Sequence, residues 1–317
     1  MTLRERLQVI ESSLRATPVM RLDFEPVNLY AKLEFHNPIG SVKDRPALWI
    51  LKRAEERGEL GEQTTLIESS SGNFANALAS YCRLLGLTFI PVIDPNITAS
   101  YEYNLRQLCS TVIKVEERDD TGGFLKTRLA KVNELAGTLP DTFWTNQYGN
   151  LDAMEAHYQL TGGEICEAFS QLDYIFLGVS TAGTISGVSR RLKERFPSIQ
   201  VIAVDTVGSI IFGGPPKKRH IPGIGSSITP ALLKYARIDD VVMVPESDAV
   251  EGCQELLERY GLFAGGSSGS AYAAVKRYLP RMRGGLKSPN VLFLCADRGT
   301  AYLDTIFNHG WSDRLAA

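Results

Sequence analysis

Short apolar runs recur along this chain, separated by longer stretches in which apolar positions return every three or four residues. The runs 65–68, 87–93, 174–179, 200–204 and 290–295 predict buried strands, most of them closed by Gly, Ser, Asp or Pro. The stretches 46–57, 73–85, 184–195, 248–260 and 270–279 predict helices. This alternation implies βαβ units, hence an α/β fold with largely parallel sheets flanked by helices. In such folds a ligand lies in the crevice at the carboxyl ends of the strands. The Gly/Ser-rich loops follow strands, so several of them should converge there. No internal repeat, low-complexity tract or long linker interrupts the pattern.

Composition narrows the possibilities. With 317 residues, 44% hydrophobic and 22% charged, the chain can build two medium-sized cores, and two lobes are expected. A net charge of -2 gives no general attraction to nucleic acid or to a membrane surface, so a small-molecule partner is expected. No apolar run approaches the roughly 20 residues that span a bilayer. The start, Met1-Thr2-Leu3-Arg4-Glu5-Arg6, lacks an apolar signal core. Cys82, Cys109, Cys166, Cys253 and Cys295 are scattered and have no metal-ligand spacing. They point to a reducing, cytoplasmic setting, without a disulfide framework or zinc.

Four segments carry candidate chemistry. In Asn37-Pro38-Ile39-Gly40-Ser41-Val42-Lys43-Asp44-Arg45-Pro46, turn residues lead through Lys43 into a helix. A helix dipole and a neighbouring lobe would lower the pKa of such a lysine and suit it to Schiff-base formation. An arbitrary lysine at a helix start is simply solvated, so this segment alone establishes little. Glu68-Ser69-Ser70-Ser71-Gly72-Asn73-Phe74-Ala75 turns a strand end into a helix, with free N–H groups and three hydroxyls that suit a carboxylate. It equally fits an ordinary serine-capped helix. Gly178-Val179-Ser180-Thr181-Ala182-Gly183-Thr184 combines small residues with hydroxyls and suits a phosphate or a tight structural turn. It lacks the P-loop and dinucleotide fingerprints. Ala264-Gly265-Gly266-Ser267-Ser268-Gly269 could offer the Ser267 hydroxyl to a heterocycle nitrogen, or be a flexible loop and helix cap.

In this order and at these separations, the four segments resemble the fold-type II pyridoxal 5'-phosphate (PLP) enzymes of the cysteine synthase group. The resemblance runs from Thr17-Pro18 to Asp297-Arg298-Gly299. It implies a tryptophan synthase β-like fold of two lobes and a homodimer. Residues 1–35 plus 146–317 would form the larger, PLP-phosphate-binding lobe. Residues 36–145 would form the smaller mobile lobe, carrying Lys43 and the substrate carboxylate loop. It implies Lys43 as the Schiff-base lysine and catalytic base, and Asn73 as the partner of the cofactor's phenolic oxygen. Ser180, Thr181, Ala182, Gly183 and Thr184 would bind the cofactor phosphate, and Ser267 the pyridine nitrogen. Ser69, Ser70, Ser71, Gly72 and Gln147 would hold the substrate carboxylate.

The chain departs from ordinary cysteine synthases at Phe74-Ala75, where Thr-Gly is usual, at the Ser180–Thr184 loop, and at Tyr148-Gly149-Asn150. Lys43-Asp44-Arg45-Pro46, Thr145-Asn146-Gln147-Tyr148, Gly208-Ser209-Ile210-Ile211-Phe212-Gly213 and Ile221-Pro222-Gly223-Ile224-Gly225 resemble a siderophore-pathway branch. That branch joins O-phospho-L-serine to L-glutamate on the route to 2,3-diaminopropionate. A departing phosphate needs cationic help, for which Arg128 is the candidate, supported by Tyr148 and Ser180. Arg219, in Lys217-Lys218-Arg219-His220, could meet an acidic substrate, but a solvated basic loop is the expectation. Two alternatives stay open: a cysteine synthase using O-phosphoserine or O-acetylserine with sulfide, and a non-catalytic binding or sensing protein on the same fold.

Overall fold

The computed structural model describes residues 1–120, 122–282 and 288–316. Its strands are β1 (Val19–Leu22), β2 (Asn28–Leu33), β3 (Thr65–Ser69), β4 (Thr88–Ile93), β5 (Ile113–Lys114), β6 (Thr142–Trp144), β7 (Tyr174–Gly178), β8 (Gln200–Thr206), β9 (Asp240–Val244) and β10 (Asn290–Cys295). They form a six-stranded sheet of order β1-β2-β10-β7-β8-β9 and a four-stranded sheet of order β5-β4-β3-β6. Every pairing is parallel except the β1/β2 ladder, which is antiparallel. The fold is therefore α/β, with parallel sheets flanked by helices.

Alternation of side chains across the pleat sorts the apolar residues of each strand into separate layers. On β7, Tyr174 and Phe176 join one core while Ile175 and Leu177 join another. The first core packs beneath the helices Glu246–Tyr260 and Gly266–Tyr278. The second reaches from the large sheet to the small one through helices Asp44–Glu56, Asn73–Leu85 and Gly183–Arg195. On β3, Leu66 faces that shared core, and Ile67 faces a third cluster with Val132 and Leu135 of helix Leu125–Thr138. Both sheets thus contribute to one continuous apolar layer.

All five predicted strands and all five predicted helices occur. The largest shift is at helix Gly266–Tyr278, which starts four residues before the predicted 270, because the Gly/Ser run forms its first turn. Its neighbour lies so close that a Cβ at Gly252 would meet the Gly269 carbonyl oxygen at 2.4 Å. That approach seats Ser267 against the end of β7, where a Cβ at Gly178 would lie in ordinary contact with Ser267 Cβ, 3.7 Å away. Among the described residues no helix is long and apolar enough to cross a membrane, and no cluster of His, Cys, Asp or Glu could hold a metal.

Candidate active site

The carboxyl ends of β3, β7 and β10 bring the four Gly/Ser/Lys segments together. The Lys43 segment is tied to the end of β10, with the Val42 N–H donating to the Ala296 carbonyl at 2.8 Å and Ser41 bridging to Asp297. Lys43 stands immediately before helix Asp44–Glu56, and its Nζ donates to Thr181 Oγ1 at 3.4 Å. Burial pushes its pKa down to about 8, so the ammonium loses its proton far more readily than a surface lysine does. The lowering matches the expectation from sequence, but its cause is desolvation.

The loop after β7 places Ala182 in the left-handed region, at φ 64. For a residue with a Cβ that conformation costs about 1–2 kcal/mol. It aims the start of helix Gly183–Arg195, which has no side-chain cap, at the space beside Lys43. Thr184 Oγ1 is hydrogen-bonded to His157 Nε2 at 3.1 Å, and His157 Nδ1 to Thr161 Oγ1 at 2.9 Å. Burial, reinforced by the Lys43 charge, pushes His157 down to about 3, so the ring is neutral. A π-helical turn, His157–Thr161, presents it. Lys43, Phe74, Gln147, His157, Thr181 and Thr184 line one cavity. The Ser180 hydroxyl instead donates to the Gly225 carbonyl at 3.1 Å, which leaves its lone pairs free but occupies its proton.

Asn73, the first residue of helix Asn73–Leu85, donates Nδ2 to Asp297 Oδ2 at 2.7 Å and accepts from the Tyr101 hydroxyl on Oδ1. Asp297 also accepts from the Tyr302 hydroxyl at 2.5 Å, and its Oδ1 has no partner among the described residues. Burial raises its pKa. The Ala296 N–H donates to Ser268 Oγ at 3.1 Å, which ties the Ser267 helix to the same junction.

The loop after β3 is built for an acceptor-rich guest. Ser69 Oγ is buried and lacks a partner among the described residues, and Ser70 Oγ caps the Ala75 N–H at 3.2 Å. Gly72 caps the helix with no side-chain bond. Ser71 Oγ accepts from Arg128 Nη1 at 3.0 Å and donates to Asp94 Oδ2 at 3.1 Å. Arg128 Nε lies 3.2 Å from the same carboxylate. Arg128 is 9% exposed and belongs to this loop's surroundings, not to the outer helix surface. Tyr148 stands close enough to Arg128 to feel its charge, and burial raises its pKa. Gln147 Nε2 donates to the Ser69 carbonyl at 3.2 Å.

Among the described residues Glu68 has no counter-ion. It accepts from Thr145 Oγ1 at 2.6 Å, the Ser69 N–H at 2.8 Å and the Gln147 N–H at 3.2 Å. Burial nevertheless pushes it up to about 7 from an ordinary 4.5. Between those values the folded chain holds a proton that the unfolded chain has released, so stability falls as pH rises through that window. Glu68→Gln is expected to reduce the loss of stability between about pH 5 and pH 8 by roughly 2–3 kcal/mol in urea denaturation. An unchanged pH slope would show that Glu68 ionises normally.

Every candidate from the sequence lies at this junction, from Lys43 to Ser267. One expectation fails: Arg219 is not solvated but half-buried, donating to the Ile224 carbonyl and Ser227 Oγ at 3.2 and 3.1 Å, because the loop folds back under it. Sequence reasoning missed Asp94, His157 and the bonding of Asp297. Glu68 left a trace, as a lone carboxylate ending an apolar strand. His157 left none.

A sequence model of pyridoxal-phosphate dependent enzymes matches residues 10–297. The chain is 43% identical over 97% of its length, and 92% of the relative's, to N-(2-amino-2-carboxyethyl)-L-glutamate synthase from Ralstonia nicotianae. It is 41% identical, with the same coverage, to the synthase of that name from Cupriavidus metallidurans. The crystal structure of an O-acetylserine dependent cystathionine beta-synthase from Helicobacter pylori superposes with a TM-score of 0.86 at 30% identity, covering 96% of this chain and 97% of that one. The chain belongs to the pyridoxal-phosphate dependent enzyme family, in its fold-type II form, with pyridoxal 5'-phosphate as its cofactor.

Proposed function

We propose that this enzyme joins O-phospho-L-serine to L-glutamate, giving N-(2-amino-2-carboxyethyl)-L-glutamate and phosphate. The observation that carries this reading is the pair of relatives so named, at 41–43% identity over nearly the whole chain. The donor set suits the cofactor. A buried amine with a lowered pKa faces the open start of a helix flanked by threonine hydroxyls, and a neutral serine, Ser267, lines the β7 end. In this reading Lys43 links the cofactor, Ser180 through Thr184 hold its phosphate, Asn73 meets the ring oxygen and Ser267 the ring nitrogen.

Bound PLP supplies an electron-withdrawing ring that acidifies the α-hydrogen of an attached amino acid. Lys43, as a neutral amine, takes that proton and later returns it to Cα. Ser69, Ser70, Ser71, Gly72 and Gln147 hold the α-carboxylate and fix which bond faces Lys43. Arg128, with Tyr148 and with Ser180 once its hydroxyl turns from the Gly225 carbonyl, receives the departing phosphate, whose charge of about -2 needs a cation. The glutamate amine then attacks the carbon the phosphate has left. Residues 36–145 act as a lobe that moves over residues 1–35 and 146–317. The enzyme works as a cytoplasmic homodimer in siderophore biosynthesis, on the route to 2,3-diaminopropionate.

The test mixes holoenzyme with O-phospho-L-serine, follows phosphate release, and offers glutamate or sulfide. Formation of the glutamate adduct with release of one phosphate per adduct is the expected result. Efficient consumption of sulfide with glutamate ignored would instead make it a cysteine synthase. A protein that neither binds PLP nor releases phosphate would be a non-catalytic member of the fold.

A further inference from the structure

Arg219 is a half-buried guanidinium whose bonded partners are neutral, the Ile224 carbonyl at 3.2 Å and Ser227 Oγ at 3.1 Å. Among the described residues it joins no ion pair. Asp205 and Glu246 act on its charge from farther away. Glu246 is already engaged by the His220 and Ile221 N–H groups and by His220 Nδ1, and burial raises the pKa of Asp205. Arg128, by contrast, is matched by Asp94.

The fold carries this cation to the site through Gly225. That residue lies at φ +73, donates its N–H to the Val179 carbonyl at 2.7 Å and accepts from Ser180 Oγ at 3.1 Å. A Cβ there would fall 2.7 Å from Arg219 Nη1. Glycine thus allows the guanidinium to lie on the backbone that braces the loop after β7. Tyr148 is close enough to act on the charges of both Arg219 and Arg128. Both arginines thus act on Tyr148 electrostatically, Arg128 from an ion pair with Asp94 and Arg219 from none among the described residues. A desolvated, unmatched guanidinium binds a carboxylate with charge-assisted hydrogen bonds far stronger than those it makes to neutral oxygens.

We propose that Arg219 is the specificity-determining residue for the second substrate, receiving the side-chain carboxylate of a dicarboxylic amine nucleophile. The assignment rests on the proposed reaction, with L-glutamate as that nucleophile. It divides the anions between two cations, Arg128 for the leaving phosphate and Arg219 for the incoming dicarboxylate.

The test compares wild-type, Arg219→Met and Arg219→Lys holoenzymes. Phosphate release from O-phospho-L-serine without a second amine is expected to stay within about twofold in Arg219→Met, while KM for glutamate rises about 10- to 100-fold. The preference for glutamate over glutamine should collapse toward unity in the Met variant and survive in part in the Lys variant. Glutarate, a dicarboxylate without the amine, should protect the wild type against thermal unfolding but not Arg219→Met. An unchanged glutamate KM and preference would overturn the assignment alone. So would an equal loss in phosphate release and glutamate use with the preference intact, since Arg219 would then only support its loop. A wild-type enzyme that releases phosphate but never uses glutamate would overturn the proposed reaction and this assignment with it.

Discussion

Replacing Lys43 with alanine is expected to lower turnover by about 10²–10⁴-fold or more, the usual contribution of a positioned general base, while the protein stays folded. The amine's hydrogen-bond partner is one threonine hydroxyl at 3.4 Å, so truncation orphans no buried charge. It also removes a group whose charged form is disfavoured by burial. The change in stability should therefore be within about 1 kcal/mol. Two measurements separate the chemical role from a structural one. Single-turnover phosphate release from O-phosphoserine should collapse in the variant. Borohydride reduction followed by peptide mapping should fix the cofactor on Lys43 in the wild type and on no peptide of Lys43→Ala. Near-normal turnover, or label on a different lysine, would remove Lys43 from its assigned place.

Arg45→Met is expected to cost about 3–5 kcal/mol, because it breaks a buried ion network by removing one partner. Arg45 is 1% exposed and donates Nε to Glu34 Oε2 at 2.6 Å and Nη1 to Glu164 Oε1 at 2.6 Å. Lys32 Nζ reaches Glu164 Oε2 at 2.6 Å, and Thr17 Oγ1 reaches Glu34 Oε1 at 2.7 Å. Two cations balance two carboxylates, so removing Arg45 leaves one buried negative charge in excess. Burial alone would raise Glu34, yet the Arg45 charge overrides it and holds the carboxyl at about 2. The folded chain therefore binds fewer protons than the unfolded chain between 4.5 and about 2, and stability drops as pH falls through that window. Urea denaturation of Arg45→Met at neutral pH should show the full loss, with a shallower decline in acid. Adding Glu34→Gln should recover part of it, since the excess charge goes with the carboxylate. A loss under about 1 kcal/mol would mean the network is solvated. Arg45 lies two residues from Lys43 and ties that segment to Glu34, just after β2, and to helix Gly162–Ala168. Turnover should suffer along with stability.

Much of the fold was legible because it depends on near neighbours in the chain. The continuous apolar runs at β3, β7 and β10 and the helical period of 73–85 report burial within a single element. The β1/β2 ladder was not legible, since only one of its first strand's four residues is buried. The Gly/Ser segments announced where backbone N–H groups would be left open. Their order, with the resemblance, pointed to one site. Chemistry that depends on contacts far apart in sequence left little mark.

The chain's local pattern was thus enough to establish its class, five of its strands and five of its helices and the loops that carry chemistry, since periodicity and turn residues act over a few neighbours. Tertiary packing decided the charges. Whether Lys43 is neutral depends on the burial that the Thr181 loop helps to impose, 138 residues away. Asn73 is oriented by Asp297, 224 residues away, and Lys32 is balanced by Glu164, 132 away. Arg219 gives the plainest case. Its sequence reads as a solvated basic loop, and only the folding of that loop onto Gly225 leaves it desolvated and without an ion-pair partner among the described residues. Desolvation and counter-ion pairing are set by which elements meet, and a one-dimensional pattern does not encode those meetings.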